Sequence, residues 1–443
     1  MSDMRVAPAE LKRSVRLLDL VTLGAGTAIG ASIFSILGPA SKVAGSGVLV
    51  ATLLAALPMS VFGTVYAFMS SAWPRSGASY EWQRTFVHPF LAFVVMWLRI
   101  LGTSLILNVM GKVLISYLSE MTGLPMPGKS IVFAIFTAVF AINFIGVGVA
   151  ARAQTLVMAL LLASLTLFVV LSAPQVSLAR VGAPFGGGIV PIVAALPLMI
   201  HLFMGIEACT EVGDEVEDAK RTIPLGLAFA LLLCAVVYLA VAFTALGLVG
   251  PAALAASKAP LLTAAQAGIG RWASTLIGVA AVLALTKSMN AIFLVFSRLL
   301  FAMGRAGVFP QAFAYIHPLF GTPTVAIMAA YACAGACLLL PNGVVFLFLA
   351  TTVPNMLKYF STCLAALLMV RGRPDLHSAA RLRLPGGAVR FLAIVGMGCA
   401  ALIAVVGFGI DWTPYALLGA WLLLGLLYWF VRAARRKTGL PSA

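Results

Sequence analysis

Acidic residues are scarce in this chain. Thirteen Asp and Glu serve 443 residues, and charged residues of both signs make up only 9%. A soluble domain carries about a quarter, so this composition cannot cover a water-facing surface. Histidine is scarcer still. His88, His201, His317 and His377 lie far apart, with no HExxH or comparable metal spacing. No metal and no cofactor is therefore expected. The six cysteines (Cys209, Cys234, Cys333, Cys337, Cys363 and Cys399) form no CxxC pair and fall in or beside apolar runs. They read as small packing residues. No nucleophile–base constellation stands out, so no enzyme is expected. No soluble domain is evident: the longest polar stretch, about Arg371–Val389, reads as a loop. A cleavable signal pattern is also missing, and the first apolar run is long enough to stay in place as a span.

The chain is instead rich in apolar sequence: 62% hydrophobic residues and a mean hydropathy of +1.08. Runs of membrane-spanning length recur about twelve times by the roughly 20-residue criterion. They lie near Leu18–Ala40, Gly47–Ala72, Phe90–Tyr117, Ile131–Ala150, Thr155–Ser172, Ile189–Cys209, Leu225–Val249, Ala273–Met303, Thr324–Leu340, Val344–Val370, Phe391–Phe408 and Tyr415–Val431. The class expected is an all-α polytopic membrane protein. A barrel would show short alternating strands.

The net charge of +16 invites a nucleic-acid reading, but its distribution excludes one. With the N-terminus inside, twenty of the 29 Lys and Arg residues fall on cytoplasmic segments. Only Lys42, Lys129, Arg180, Lys258 and Arg271 fall outside, and Arg99, Lys112, Lys287 and Lys358 lie within spans. That asymmetry is the positive-inside rule and places both termini in the cytoplasm. The basic Arg371–Arg390 loop and the C-terminal tail would then face anionic lipid. The acidic run Glu211, Asp214, Glu215, Glu217 and Asp218 reads as a solvated helix end paired with Lys220 and Arg221, not as a metal site.

Two apolar segments carry flexible residues where a spanning helix should be stiffest. One is Gly24–Ile36; the other is Met199–Glu207, which runs into the acidic stretch and Pro224. Interrupted helices in corresponding places mark binding sites in secondary transporters. An unwound turn over Gly24–Ser32 frees N–H groups suited to a substrate carboxylate. Freed carbonyls near Phe203–Gly205 suit a substrate ammonium. The alternative is that the glycines only allow helices to approach closely. Segments one to five and six to ten each open on such a helix. The expected organisation is a tail at 1–17, a first repeat at 18–172, an inverted second repeat at 189–370, two appended helices at 391–431 and a basic tail at 432–443.

Four ordered motifs carry a family resemblance. Gly24-Ala-Gly-Thr-Ala-Ile-Gly30-Ala-Ser-Ile-Phe34 is similar to the first-helix signature of amino acid–polyamine–organocation (APC) superfamily permeases. Pro74-Arg-Ser-Gly77-Ala-Ser-Tyr80 resembles the loop after helix two. Phe203-Met-Gly205-Ile-Glu207 with Glu215–Pro224 resembles the sixth helix and the segment just after it. Asn290, Ser297–Gly307 and the Arg371–Asp375 loop resemble the patterns of helices eight and ten. The resemblance covers essentially the whole chain. It implies the LeuT-type fold of two inverted five-helix repeats with discontinuous helices 1 and 6, plus two extra C-terminal helices. It also implies a permease for amino acids or related amines. The chain departs from the pattern at Ala31-Ser32, where Ser-Gly or Thr-Gly is commoner.

On that basis the expected substrate site comprises Thr27, Ile29, Gly30, Ala31, Ser32 and Ile33 on helix one, and His201, Phe203, Gly205 and Ile206 on helix six, with Asn108 on helix three. Phe203 is the expected aromatic lid. His201 falls where an arginine/agmatine antiporter-like relative has a gating aromatic. It can stack on substrate or titrate near its ordinary value of about 6.5, or simply pack. An intramembrane carboxylate is costly and functional by default, so Glu207 is expected to act as a proton-sensitive strut between helices six and one. Lys287, deep in helix eight, lies where sodium-coupled relatives of this fold hold an ion. Some proton-dependent relatives place a Lys on helix five instead, which this chain lacks. Lys287 is expected to replace the sodium and exchange a proton. Lys358 can join a gate, and Arg99 can pair with Glu81 or Glu207.

The expected function is secondary active transport of amino acids by alternating access, sodium-independent and proton-coupled or exchanging. A polyamine or amine transporter is the alternative. A channel would show charge rings or a carbonyl filter, and neither is present. Neutral amino acids rank above polyamines, since cavity carboxylates are few. The expected partners are a small-molecule substrate, the bilayer of a bacterial inner membrane and protons, with no nucleic acid, in a monomer or homodimer.

Overall fold

The computed structural model describes residues 15–30, 32–75, 77–145, 150–340 and 343–437. Helices dominate. The chain runs through α1 (Leu17–Ile29), α2 (Ser32–Ala44), α3 (Val48–Ala72), α4 (Ala78–Phe86), α5 (Pro89–Thr122) and α6 (Gly128–Ile145). It continues through α7 (Ala150–Ser172), α8 (Leu178–Val181), α9 (Ile189–Met199), α10 (Ala208–Glu211) and α11 (Ala219–Ala256). It ends with α12 (Pro260–Arg305), α13 (Thr324–Cys337), α14 (Val344–Gly372), α15 (Pro374–Ser378), α16 (Gly386–Ile410) and α17 (Thr413–Lys437). Among the described residues the only extended pairing is an isolated bridge between Val15 and Val216.

These are the helices that the apolar runs require, because lipid offers no partner to a free N–H or C=O. Nine stretches among the described residues are long and apolar enough to cross a membrane, and the first of them, Leu17–Ala72, contains α1, α2 and α3. Two further apolar helices are shorter, α9 with 11 residues and α13 with 14. Each of the twelve expected segments falls on helix, whole or broken. At 46 residues α12 is far longer than a span; it bends at Gly270, whose φ of +81° is outside the helical region and is open only to glycine without strain.

Two helices, α11 and α14, flank the two interruptions. Helix α11 packs against α1, α2 and α3, while α14 packs against α5, α3, α4 and α9. Trp82, Tyr66, Tyr117, Tyr238 and Tyr359 are wholly buried between them. Outward faces of α11, α12, α16 and α17 expose Leu, Val and Phe, among them Leu232, Val295, Val405 and Leu427. That is the surface of a protein solvated by lipid.

Candidate functional site

The two interruptions differ in kind. Helix α1 continues regularly through Gly24, Gly26 and Ile29, and Gly30 keeps helical angles of −58° and −41°. The unwinding expected over Gly24–Ser32 is therefore not found from Gly24 to Gly30; α2 starts at Ser32, and Ala31 lies outside the described residues. Gly24 and Gly26 serve close approach instead. A Cβ on Gly24 would sit 2.5 Å from Cys209 Sγ, and one on Gly26 would sit 3.3 Å from Lys287 Nζ. The sixth segment is truly broken. Pro197 lies within α9, a 3₁₀ turn follows over Ile200–Leu202, and residues 203–207 form turns before α10. Gly205 takes a φ of +110°, which excludes other residues without strain.

The interruptions meet. Ser32 Oγ donates to the His201 carbonyl at 2.8 Å. A Cβ on Gly205 would meet Thr27 Cγ2 at 2.8 Å and the Ala28 nitrogen at 3.2 Å. Cys209 Sγ donates to Leu20 O at 3.1 Å. Ile29, Ile33, Phe203 and Ile206 are buried around this crossing, and Thr27 turns its hydroxyl back to Leu23 O at 2.7 Å.

Glu207 closes the inner end of the break. Its Oε2 accepts the Gly205 N–H at 2.9 Å, and its Oε1 forms an ion pair with Lys358 of α14. The strut thus runs from helix six to helix ten, not to helix one, because the carboxylate faces α14. The Lys358 ammonium also lies 4.6 Å from the centre of the Tyr359 ring. A buried polar lattice surrounds the pair. Gln83 Nε2 donates to Lys358 O at 3.3 Å, and Thr362 Oγ1 to the same carbonyl at 2.9 Å. Tyr66 OH bridges Thr362 Oγ1 (3.2 Å) and Ser79 Oγ (3.3 Å), and Ser79 donates to Glu211 Oε1 at 2.8 Å. The Gly77 N–H donates to Glu211 O at 3.1 Å. Two of the sequence motifs, Pro74–Tyr80 and the stretch after Phe203, are therefore in contact.

Lys287 reaches α1 from the other side. Its Nζ is buried and makes no hydrogen bond among the described residues. It lies against Gly26, with Met158 of α7 at the same spot. The next residue, Ser288, packs its hydroxyl against Gly30, and that oxygen too has no partner among the described residues.

The family model described as amino acid permease matches residues 16–426. The chain belongs to the amino acid permease family, within the APC superfamily. An uncharacterized transporter of Mycobacterium tuberculosis is 30% identical over 72% of both chains. The branched-chain amino acid permease BcaP of Bacillus subtilis is 25% identical over 96% of this chain and 94% of its own. A methylthioribose transporter of Bacillus subtilis is 28% identical over 71% and 72%. The permease is an integral membrane transporter, not an enzyme, and its substrate is a small molecule.

Other expected residues fall elsewhere in the permease. Asn108 donates to Ser104 O (2.9 Å) and to Ala334 O (3.2 Å), so its amide ties α5 to α13 instead of facing the breaks. His201 is committed to α14 through Thr352 Oγ1 at 2.8 Å and Phe348 O at 3.1 Å, which makes it a packing histidine here. Phe203 stacks edge-on against Tyr238 at 5.6 Å, within the α11 contact. Arg99 pairs with neither Glu81 nor Glu207: Glu81 is near Arg84 (3.9 Å), and Glu207 is taken by Lys358. Two residues of the acidic run are ion-paired, Glu217 with Arg16 (3.3 Å) and Asp218 with Arg381 (2.7 Å), while Glu211 accepts from Ser79. Tyr66, Ser79, Gln83 and Thr362 join the site although sequence reasoning does not single them out. The signal for Ser79 lies in the Pro74–Tyr80 motif; the others carry no pattern of their own.

Proposed function

We propose that the permease is a secondary transporter of amino acids that works by alternating access without sodium. Both termini lie in the cytoplasm of a bacterial inner membrane in this reading. The observation that carries it is the crossing of α1–α2 with the broken α9–α10, held by Ser32 and the His201 carbonyl. A substrate carboxylate is placed at the start of α2, where the first N–H groups of a helix have no partner of their own and carry partial positive charge. The substrate ammonium is placed at the turn over residues 203–207, whose carbonyls are outside a helical ladder. BcaP, which aligns over nearly its full length, supports amino acids as the substrate class.

Lys287 is the cation of the site. An ammonium between α12, α1 and α7 occupies the place a metal cation would otherwise fill, so sodium has no role. Protons, or exchange of one substrate for another, drive the cycle. Alternating access would part α10 from α4 on one side while the α2–α9 contact holds the other. The test is saturable, stereoselective uptake in proteoliposomes, followed by counter-flow with each accepted substrate. Saturation by L-isomers supports the reading. Unsaturable, non-stereoselective flux would overturn it in favour of a channel.

A further inference from the structure

We infer that Lys358 is the residue that sets charge selectivity, by occupying the carboxylate that would otherwise receive a cationic substrate side chain. This rests on the reading of the breaks as an amino acid site. Among the described residues Glu207 is the one Asp or Glu, and Lys358 the one Lys or Arg, that is buried as a whole residue. The two form an ion pair with each other. Both carboxylate oxygens are engaged: Oε1 holds the Lys358 ammonium, and Oε2 accepts the Gly205 N–H. Gly205 is the strained centre of the sixth-helix break, so the pair lies on the floor of the proposed site.

An α-ammonium and an α-carboxylate bring no net charge to that site. A Lys, Arg or polyamine substrate brings one more positive charge, and a charge inside a membrane protein needs a partner. None is free. Lys287 adds a further cation, against Gly26 of α1. The interior thus repels a second cation, which is discrimination by an unfavourable element as much as by a favourable one. Lys358 also lies over the Tyr359 ring at 4.6 Å, which holds the ammonium in place independently of substrate.

Replacing Lys358 by Met removes the internal cation and leaves Glu207 free to accept an external one. The experiment measures displacement of radiolabelled leucine by unlabelled leucine, lysine and agmatine on purified protein. It uses the native chain, Lys358→Met, Lys358→Arg and the double variant Glu207→Gln/Lys358→Met. In the native protein and in Lys358→Arg, leucine competes while lysine and agmatine do not. In Lys358→Met, lysine or agmatine gains about tenfold or more in affinity, the scale of one uncovered charge partner. The double variant loses that gain. Lysine competing as well as leucine in the native protein would overturn the inference while leaving the amino acid site intact. A cation gain that persists without Glu207 would overturn it as well. Absence of any leucine binding in the native protein would instead remove the substrate reading on which it stands. Should Lys358→Met not fold, Lys358→Gln takes its place with the same expected gain and the same loss in the double variant with Glu207→Gln.

Discussion

Ser32 and His201, 169 residues apart, join the two interrupted helices through one hydrogen bond of 2.8 Å from a hydroxyl to a main-chain carbonyl. This hydrogen bond is a tether between the two segments. The tether links the start of α2 to the 3₁₀ turn that precedes the second break. Ser32→Ala should cost about 1 kcal/mol, the net worth of a typical hydrogen bond. Thermal unfolding in detergent should show that loss together with a changed KM for uptake. An unchanged KM would separate the tether from the substrate site.

Gly205 is the least replaceable residue of the second break. Its φ is +110°, and a Cβ would enter the space of Thr27 Cγ2 and the Ala28 nitrogen. Gly205→Ala should destabilise by about 1–3 kcal/mol from backbone strain and overlap. Uptake should fall further than stability does, because α1 must move to relieve the contact. Wild-type uptake from Gly205→Ala would mean that this crossing is not part of the transport path.

The Glu207–Lys358 pair predicts strong non-additivity. Glu207→Gln leaves a buried ammonium unpaired and should cost about 3–5 kcal/mol. The double variant Glu207→Gln/Lys358→Met removes both charges and should be more stable than the single one, since partners in one pair do not contribute independently. Denaturation of the two variants side by side measures this. Equal or additive losses would show that the pair carries no coupling.

Much of this is legible in the chain, and the remainder is hidden for a common reason. The apolar runs, the break at residues 199–207 and the place of Lys287 within a span follow from composition and local sequence. Which residue faces which does not. Glu207 and Lys358 are 151 positions apart, and Asn108 finds Ala334 across 226. Helices that are apolar on all sides give little indication of how each is rotated in a bundle. Asn108, His201 and Arg99 therefore carry the right chemistry with no information on direction. The first break shows the opposite failure: three glycines over Gly24–Gly30 read as unwinding, yet they lie in helical backbone and admit Cys209, Lys287 and Ser288.

That role of Gly24 is itself testable. A side chain there would collide with Cys209 Sγ and approach Ile206 O at 3.1 Å. Gly24→Val should separate α1 from α10 and lower the melting temperature, while Cys209→Ala in the same chain should recover part of the loss. No recovery would place the cost in the helix itself and not in the crossing.

In the proposed mechanism an ammonium on α12 stands in for a bound sodium ion at the crossing of the interrupted helices. The most direct test is uptake of radiolabelled leucine into proteoliposomes, with sodium or with choline as the only monovalent salt, for the native chain and for Lys287→Ala. Equal native rates in the two salts and loss of uptake in Lys287→Ala are expected. Native uptake that rises severalfold with sodium, or full activity in Lys287→Ala, would contradict the mechanism.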